Sequence, residues 1–176
     1  MSAIDLIILG VLKQEPCGAY DIQKAVEYRN ISRWVKVSTP SVYKKVLQLE
    51  ERGMIEGKTE KNGKMPAKVV YNLTKSGEEY FAELMRYLSD APITLLFDFN
   101  AVIVNLDKVP AETQEQCLNA IYNNIIELRT GLSNMIEERK HIPQNGQSVM
   151  HQQLRLSEVL EKWVDEFKNE NQHGEK

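Results

Sequence analysis

The chain has 176 residues, 42% of them apolar and 27% charged, with a formal net charge of −3 at pH 7. That is one large or two small domains with enough apolar side chains for a proper core, and a net acidity that excludes electrostatic attraction of the whole protein to nucleic acid. The charge is unevenly spread, however: residues 29–68 hold 10 Lys or Arg against 4 Glu, while residues 91–176 hold 8 basic and 13 acidic side chains, so one basic face on an acidic protein is what the sequence offers a polyanion.

Residues 4–12 are apolar but too short and interrupted for a signal peptide or membrane span. Ser2-Ala3-Ile4-Asp5 opens a first helix in which Ile4, Ile7, Ile8, Val11 and Leu12 form a wide apolar face, widened further by Leu6 and Leu9. A helix apolar nearly all round is buried on several sides. Gly10 within it is tolerable where another backbone passes close. Glu15-Pro16-Cys17-Gly18 breaks the chain, and a second helix covers residues 19–29 with Tyr20, Ile22, Ala25 and Val26 facing inward.

The third helix is the one the rest serves. Thr39 as N-cap and Pro40 at the first helical position start it, and Gly53 supplies a left-handed stop. Val42, Val46 and Leu49 make one apolar stripe, and Ser41, Lys44, Lys45 and Gln48 make the opposite, polar-basic face, the design of a major-groove reader. An ordinary amphipathic surface helix shows the same pattern. Beyond Gly53 the period changes: residues 54–60 and 67–73 read as strands joined through Asn62-Gly63, a hairpin-turn dipeptide, and carry Lys58, Lys61, Lys64 and Lys68. Three helices followed by a basic β-hairpin is the order of a winged helix-turn-helix.

Thr74-Lys75-Ser76-Gly77-Glu78 starts a fourth helix with Tyr80, Phe81, Leu84, Met85 and Leu88, which ends near Asp90-Ala91-Pro92. The apolar residues 93–106 read as a short buried helix, although part of the segment also has the look of a strand. From Pro110 a long helix spaces Leu118, Ile121, Ile125, Leu128, Leu132 and Met135 as a heptad seam, and a last helix repeats Leu156, Leu160, Trp163 and Phe167. Two helices make no closed bundle, so the missing surface is either the rest of the chain or a second copy. The fold class expected is mainly α: residues 1–90 a winged helix-turn-helix with a two-stranded wing, residues 91–176 a helical dimerisation and effector domain.

These residues resemble the PadR family of bacterial transcriptional regulators. The match runs through Ile8-Leu9-Gly10-Val11-Leu12, Ala19-Tyr20-Asp21-Ile22, Ser38 to Val42-Tyr43, Leu49-Glu50-Glu51-Arg52-Gly53-Met54-Ile55 and Lys68-Val69-Val70-Tyr71-Asn72-Leu73-Thr74-Lys75-Ser76-Gly77. Ala19, Val46 and Lys68 stand where the family usually has Gly, Leu and Arg. The helical C-terminus is similar in size and layout to that of the larger, Vir-type members. The resemblance implies a cytoplasmic homodimeric repressor on a two-fold double-stranded DNA operator, often released by a small effector, with no cofactor and no catalysis.

The candidate DNA contacts are Tyr20, Ser38, Thr39, Ser41, Tyr43, Lys44, Gln48, Lys64 and Lys68. Tyr43 beside Val42 also suits a core, and the lysines a merely solvated face. Trp34, Phe81, Phe97 and Phe99 are candidates for an effector pocket, with core packing the plainer reading. Dimerisation is expected through Leu118, Ile121, Ile125, Leu128, Leu132, Leu156, Leu160, Trp163 and Phe167. Cys17 and Cys117 are too few and too far apart for a disulfide framework or zinc site. His141, His151 and His173 lack ligand-like spacing, and no nucleophile elbow, phosphate loop or carboxylate pair points to an enzyme. A winged-helix protein-interaction module remains the competing reading, one that calls for an acidic or apolar face on the third helix.

Overall fold

The computed structural model describes residues 2–35, 40–61 and 67–173, with the backbone alone at 40, 41 and 171–173. The chain divides into two compact units, residues 1–93 and 94–176.

The first unit is a winged helix-turn-helix: α1 (Ala3–Leu12), α2 (Ala19–Tyr28), a 3-10 turn (Ile31–Arg33), α3 (Pro40–Glu51), the strands β1 (Ile55–Glu60) and β2 (Lys68–Leu73), and α4 (Lys75–Ser89). Ser2 caps α1, its hydroxyl accepting the Asp5 N–H at 3.4 Å. α1 is the hub, with α2, α3 and α4 all packed on it, which is why its apolar residues run nearly all round. Ile8, Leu9, Ile22, Val42, Val46 and Leu84 are fully enclosed, each worth roughly 1.5–3 kcal/mol of burial. Gly10 faces the Phe81 ring of α4, 3.6 Å from where a Cβ would lie, so a side chain and not a backbone crosses there. Tyr20 is not inward-facing as its position suggested: it is 67% exposed, on the side of α2 away from Ile22 and Val26.

The wing is antiparallel, with register from Ile55 opposite Leu73 to Glu60 opposite Lys68. The Asn62-Gly63 turn lies outside the described residues. A third piece of backbone joins the ladder, the Tyr71 N–H donating to the Cys17 carbonyl at 3.0 Å. Gly53 takes the left-handed conformation (φ +71°) that closes α3, and the Met54 N–H returns to the Leu49 carbonyl at 2.9 Å. Thr74 then ties the end of α3 to the start of α4. Its hydroxyl donates to the Gly53 and Met54 carbonyls (2.8 and 3.0 Å), and accepts the Gly77 N–H at 3.0 Å. A Cβ on Gly77 would run into the Met54 carbonyl oxygen, so only glycine fits.

The second unit holds α5 (Asn100–Ile103), a 3-10 turn (Leu106–Lys108), α6 (Ala111–Glu138) and α7 (Gln144–His173). The buried helix expected over residues 93–106 does not form. Residues 92–97 are irregular, α5 is a single turn, and Ile93, Leu95, Leu96 and Val104 are exposed, Ile93 to 93%. Only part of the segment finds cover among the described residues: Phe99 and Ile103 pack against the Ile121, Ile125 and Val164 cluster and Leu106 is buried, while Pro92 follows the end of α4.

α6 and α7 pack as an antiparallel hairpin, clamped by Arg129 to Glu161 (3.0 Å) and Lys168 to Asn119 (2.7 Å). Leu118, Ile125 and Leu132 of α6 face Met150, Ser157 and Val164 of α7, both sets spaced by seven. The expected seam is therefore largely filled within one chain. Of the remaining seam positions on α6, Ile121 is buried, Leu128 is 50% exposed and Met135 is half-buried. On α7 the stripe of Leu156, Leu160, Trp163 and Phe167 flanks the seam and is not its centre, which is the buried Ser157, whose hydroxyl donates to the Leu154 carbonyl at 2.6 Å. Among the described residues no helix is long and apolar enough to cross a membrane.

Candidate nucleic-acid interface

α3 presents two unlike faces because its apolar residues recur at helical spacing. Val42, Val46 and Leu49 are wholly buried, and their burial fixes which residues point out. Tyr43 is 58% exposed, so it is not core; Lys44 and Glu51 are exposed, and Gln48 is half-buried. Leu47, also on this outer face, is 44% exposed. The sequence reading passed over it because a leucine in a helix is ordinarily taken for core; its place between the exposed Lys44 and Glu51 on the helical wheel was the available signal.

Lys45 does not belong to the outer face. It turns back to α1, its Nζ 3.4 Å from the buried Asp5 carboxylate. Arg52, just past α3, meets the same carboxylate at 3.8 Å and stacks 4.6 Å from the Tyr80 ring centroid. The third-helix face is thus less basic than a residue count implies, and Glu50 and Glu51 lie on the same helix. Glu50 accepts a hydrogen bond from Tyr71, whose phenol burial pushes above its ordinary range, with the Glu50 charge adding to the effect. Gly57 makes room for that pair: a Cβ there would sit 2.6 Å from the Glu50 carboxylate.

On the wing, Lys68 is exposed and 3.8 Å from Asp21, and Lys58 pairs with Glu56 at 2.8 Å, an interaction that raises the lysine's pKa. Lys61 is exposed. Tyr20 lies on α2 with Lys24 5.4 Å from its ring centroid. Tyr20, Lys68 and Asp21 border the same β2–α2 junction, where Gly18 donates its N–H to Asp21 at 3.1 Å. Cys17 is half-buried there, its thiol pushed up first by burial and then by Asp21 and Glu15, with Lys68 opposing. Ser38, Thr39 and Lys64 lie outside the described residues, as does the Ser41 side chain.

The four aromatic candidates fall into separate settings. Trp34 follows the 3-10 turn and is partly exposed; Phe81 packs into the core around α1, with Lys13 Nζ 5.7 Å from its ring centroid. Phe97 and Phe99 join two residues of α7 in a continuous stack. Centroids are 5.2 Å apart for Phe97 and Phe99, 5.8 Å for Phe99 and Trp163, and 5.9 Å for Trp163 and Phe167, with ring planes within 25°. Among the described residues no group of three or more His, Cys, Asp or Glu is placed to hold a metal.

The model of the transcriptional regulator PadR-like family matches residues 8–83. Among curated proteins none matches the chain. Solved structures do. Bacillus subtilis PadR in complex with operator DNA is 16% identical, with a TM-score of 0.77, covering 93% of this chain and 96% of that one. The same protein in complex with p-coumaric acid gives a TM-score of 0.78 at 16% identity, over 93% and 95%. The Vibrio cholerae virulence activator AphA gives 0.68 at 19% identity, over 93% and 95%.

Proposed function

From the match of residues 8–83 to the transcriptional regulator PadR-like family, we propose that this protein binds a two-fold operator as a homodimer and represses transcription until a small aromatic effector releases it. The observation that carries DNA binding is the outer face of α3. Tyr43, Lys44, Leu47 and Gln48 project from a helix whose back is fully buried, beside an exposed Lys68 on the wing. Lys44 and Lys68 suit phosphate, Gln48 suits an adenine edge, and Leu47 suits a thymine methyl. The structural likeness to a PadR bound to operator DNA supports the same reading. Selection from a random duplex library, followed by titration of the selected site, tests it. Recovery of a two-fold sequence bound far more tightly than bulk DNA is expected; recovery of no sequence overturns it, and a protein partner bound through α3 would then become the better reading.

Residues 91–176 are the proposed dimerisation and effector region. Leu128 on α6 and Leu156 and Val159 on α7 are exposed, as are Leu95, Leu96 and Val104 ahead of the hairpin. A second copy covers this surface in the proposed assembly and holds two α3 helices about 34 Å apart, one turn of DNA. The stack of Phe97, Phe99, Trp163 and Phe167 supplies planar apolar walls for an aromatic ligand, and likeness to a PadR bound to p-coumaric acid supports that ligand class. Trp163 becomes the sole tryptophan reporter in Trp34→Phe protein. Quenching by an aromatic acid together with weakened operator binding is expected; quenching without any change in operator affinity removes the effector from the mechanism.

A further inference from the structure

Three cations lie on or beside α3, and the structure treats them differently. Lys44 is exposed and, among the described residues, makes no ion pair. Lys45 and Arg52 converge on Asp5, a carboxylate of α1 that is only 3% exposed. Its Oδ2 accepts the Tyr80 hydroxyl of α4 at 3.2 Å, and Tyr80 in turn accepts from Arg52 at 3.4 Å. Among the described residues, its Oδ1 makes no hydrogen bond and is compensated by Lys45 Nζ alone, 3.4 Å away.

A buried carboxylate without a countercharge is strongly unfavourable, so Asp5 demands these partners. The demand has a geometric consequence. Adjacent residues on a helix differ by about 100° in direction, so Lys45 pinned to α1 places Lys44 on the outside. Any rotation of α3 that brought Lys45 outward would strip Oδ1 of its only compensation. Burial of Val42, Val46 and Leu49 sets the same rotation, and the Asp5–Lys45 pair adds to it a cost for turning Lys45 outward.

We propose that Asp5 is a positioning residue for DNA recognition: it neutralises Lys45 and Arg52, holds α3 in the rotation its apolar stripe sets, and leaves Lys44 as the cation that this helix offers to phosphate. The inference rests on the DNA-binding reading above.

The test is the salt dependence of operator affinity, measured by fluorescence anisotropy on the full chain and its selected site. Each phosphate contact contributes about 0.9 to the slope of log affinity against log salt. Lys44→Gln should flatten the slope by about that amount per subunit, whereas Lys45→Gln and Arg52→Gln leave it where it was. Asp5→Asn frees two cations and should steepen the slope, by up to about 0.9 for each that reaches a phosphate. Adding Lys45→Gln to Asp5→Asn should take one step back. A merely structural Asp5 lowers the melting temperature and leaves the slope alone, which overturns the proposal. If Asp5→Asn does not fold, the partner variants decide: a slope that flattens in Lys45→Gln as much as in Lys44→Gln puts Lys45 on the DNA and overturns it. Wild-type protein with no salt-dependent DNA binding overturns the DNA-binding reading first, and this inference with it, a result distinct from either slope outcome.

Discussion

The two units differ in whether they are finished. The first closes on itself: α1 is wrapped by three helices, and the residues of its core, from Ile8 to Leu84, are shielded from water by the same chain. The second has a thin core around Ile121, Ile125 and Val164, and leaves Leu128, Val159, Leu96 and Val104 in solvent. The unit proposed to read DNA is thus complete within one chain, whereas the second leaves an exposed apolar surface that the proposed second copy would cover.

The comparison breaks most decisively at the second unit's exposed side. Leu128→Glu with Val159→Glu should yield monomers by light scattering at tens of micromolar. Operator affinity should fall on the order of a hundredfold or more, because the second head no longer binds as part of the same molecule. Unmodified protein that is monomeric at that concentration removes the dimer from the mechanism. Within that charged, monomeric background the contrast between units becomes a stability measurement. Leu84→Ala should cost about 2–5 kcal/mol in urea unfolding, whereas Leu156→Ala should stay within about 0.5 kcal/mol. Equal losses would mean that Leu156 is covered by its own chain.

A finer break lies on α3. Leu47→Ala should cost about 0.8 kcal/mol, a loss of roughly fourfold in operator affinity, and the loss should vanish on an operator in which one thymine per half-site is replaced by deoxyuridine. If no thymine position shows that coupling, Leu47 does not read a methyl group. The smallest effect concerns pH. The Cys17 thiol is held above its usual range in the folded state, chiefly by burial, so its contribution is complete below the ordinary thiol pKa and is lost as pH rises through the raised value. The alkaline decline in urea midpoint should therefore be shallower in Cys17→Ala; an identical profile would assign the decline to other groups such as Tyr71.

What the sequence made legible was local. The Val42, Val46, Leu49 stripe, the Gly53 stop and the Thr74 cap depend on neighbours three to seven residues away, and all stand in the structure as read. Asp5 was not legible, because its partners Lys45, Arg52 and Tyr80 come from two other helices and nothing at position 5 distinguishes a buried aspartate from a helix-capping one. The same blindness placed Lys45 on the outer face and left Leu47 without a role. Residues 93–106 were misjudged for a related reason: hydrophobicity states that a segment seeks cover, and only the fold states whether its own chain provides it. At the α6 seam the heptad was legible, but not which of its members α7 leaves exposed, Leu128 among them.

The Thr74 tie between the end of α3 and the start of α4 has a mechanical consequence. With the Thr74 hydroxyl gripping the carbonyls of Gly53 and Met54, and no side chain on Gly77 to hold the strands of backbone apart, α4 is soldered to the DNA-reading helix at one end. At 15 residues, α4 is a rod about 22 Å long. A push of about 2 Å at its far end is a tilt of only about 5° at the joint, small enough for the core to survive and large enough to shift a side chain off a base edge. α4 is in this sense a lever arm whose fulcrum is a threonine, and under the proposed function a displacement at its far end reaches the outer face of α3 without unfolding anything.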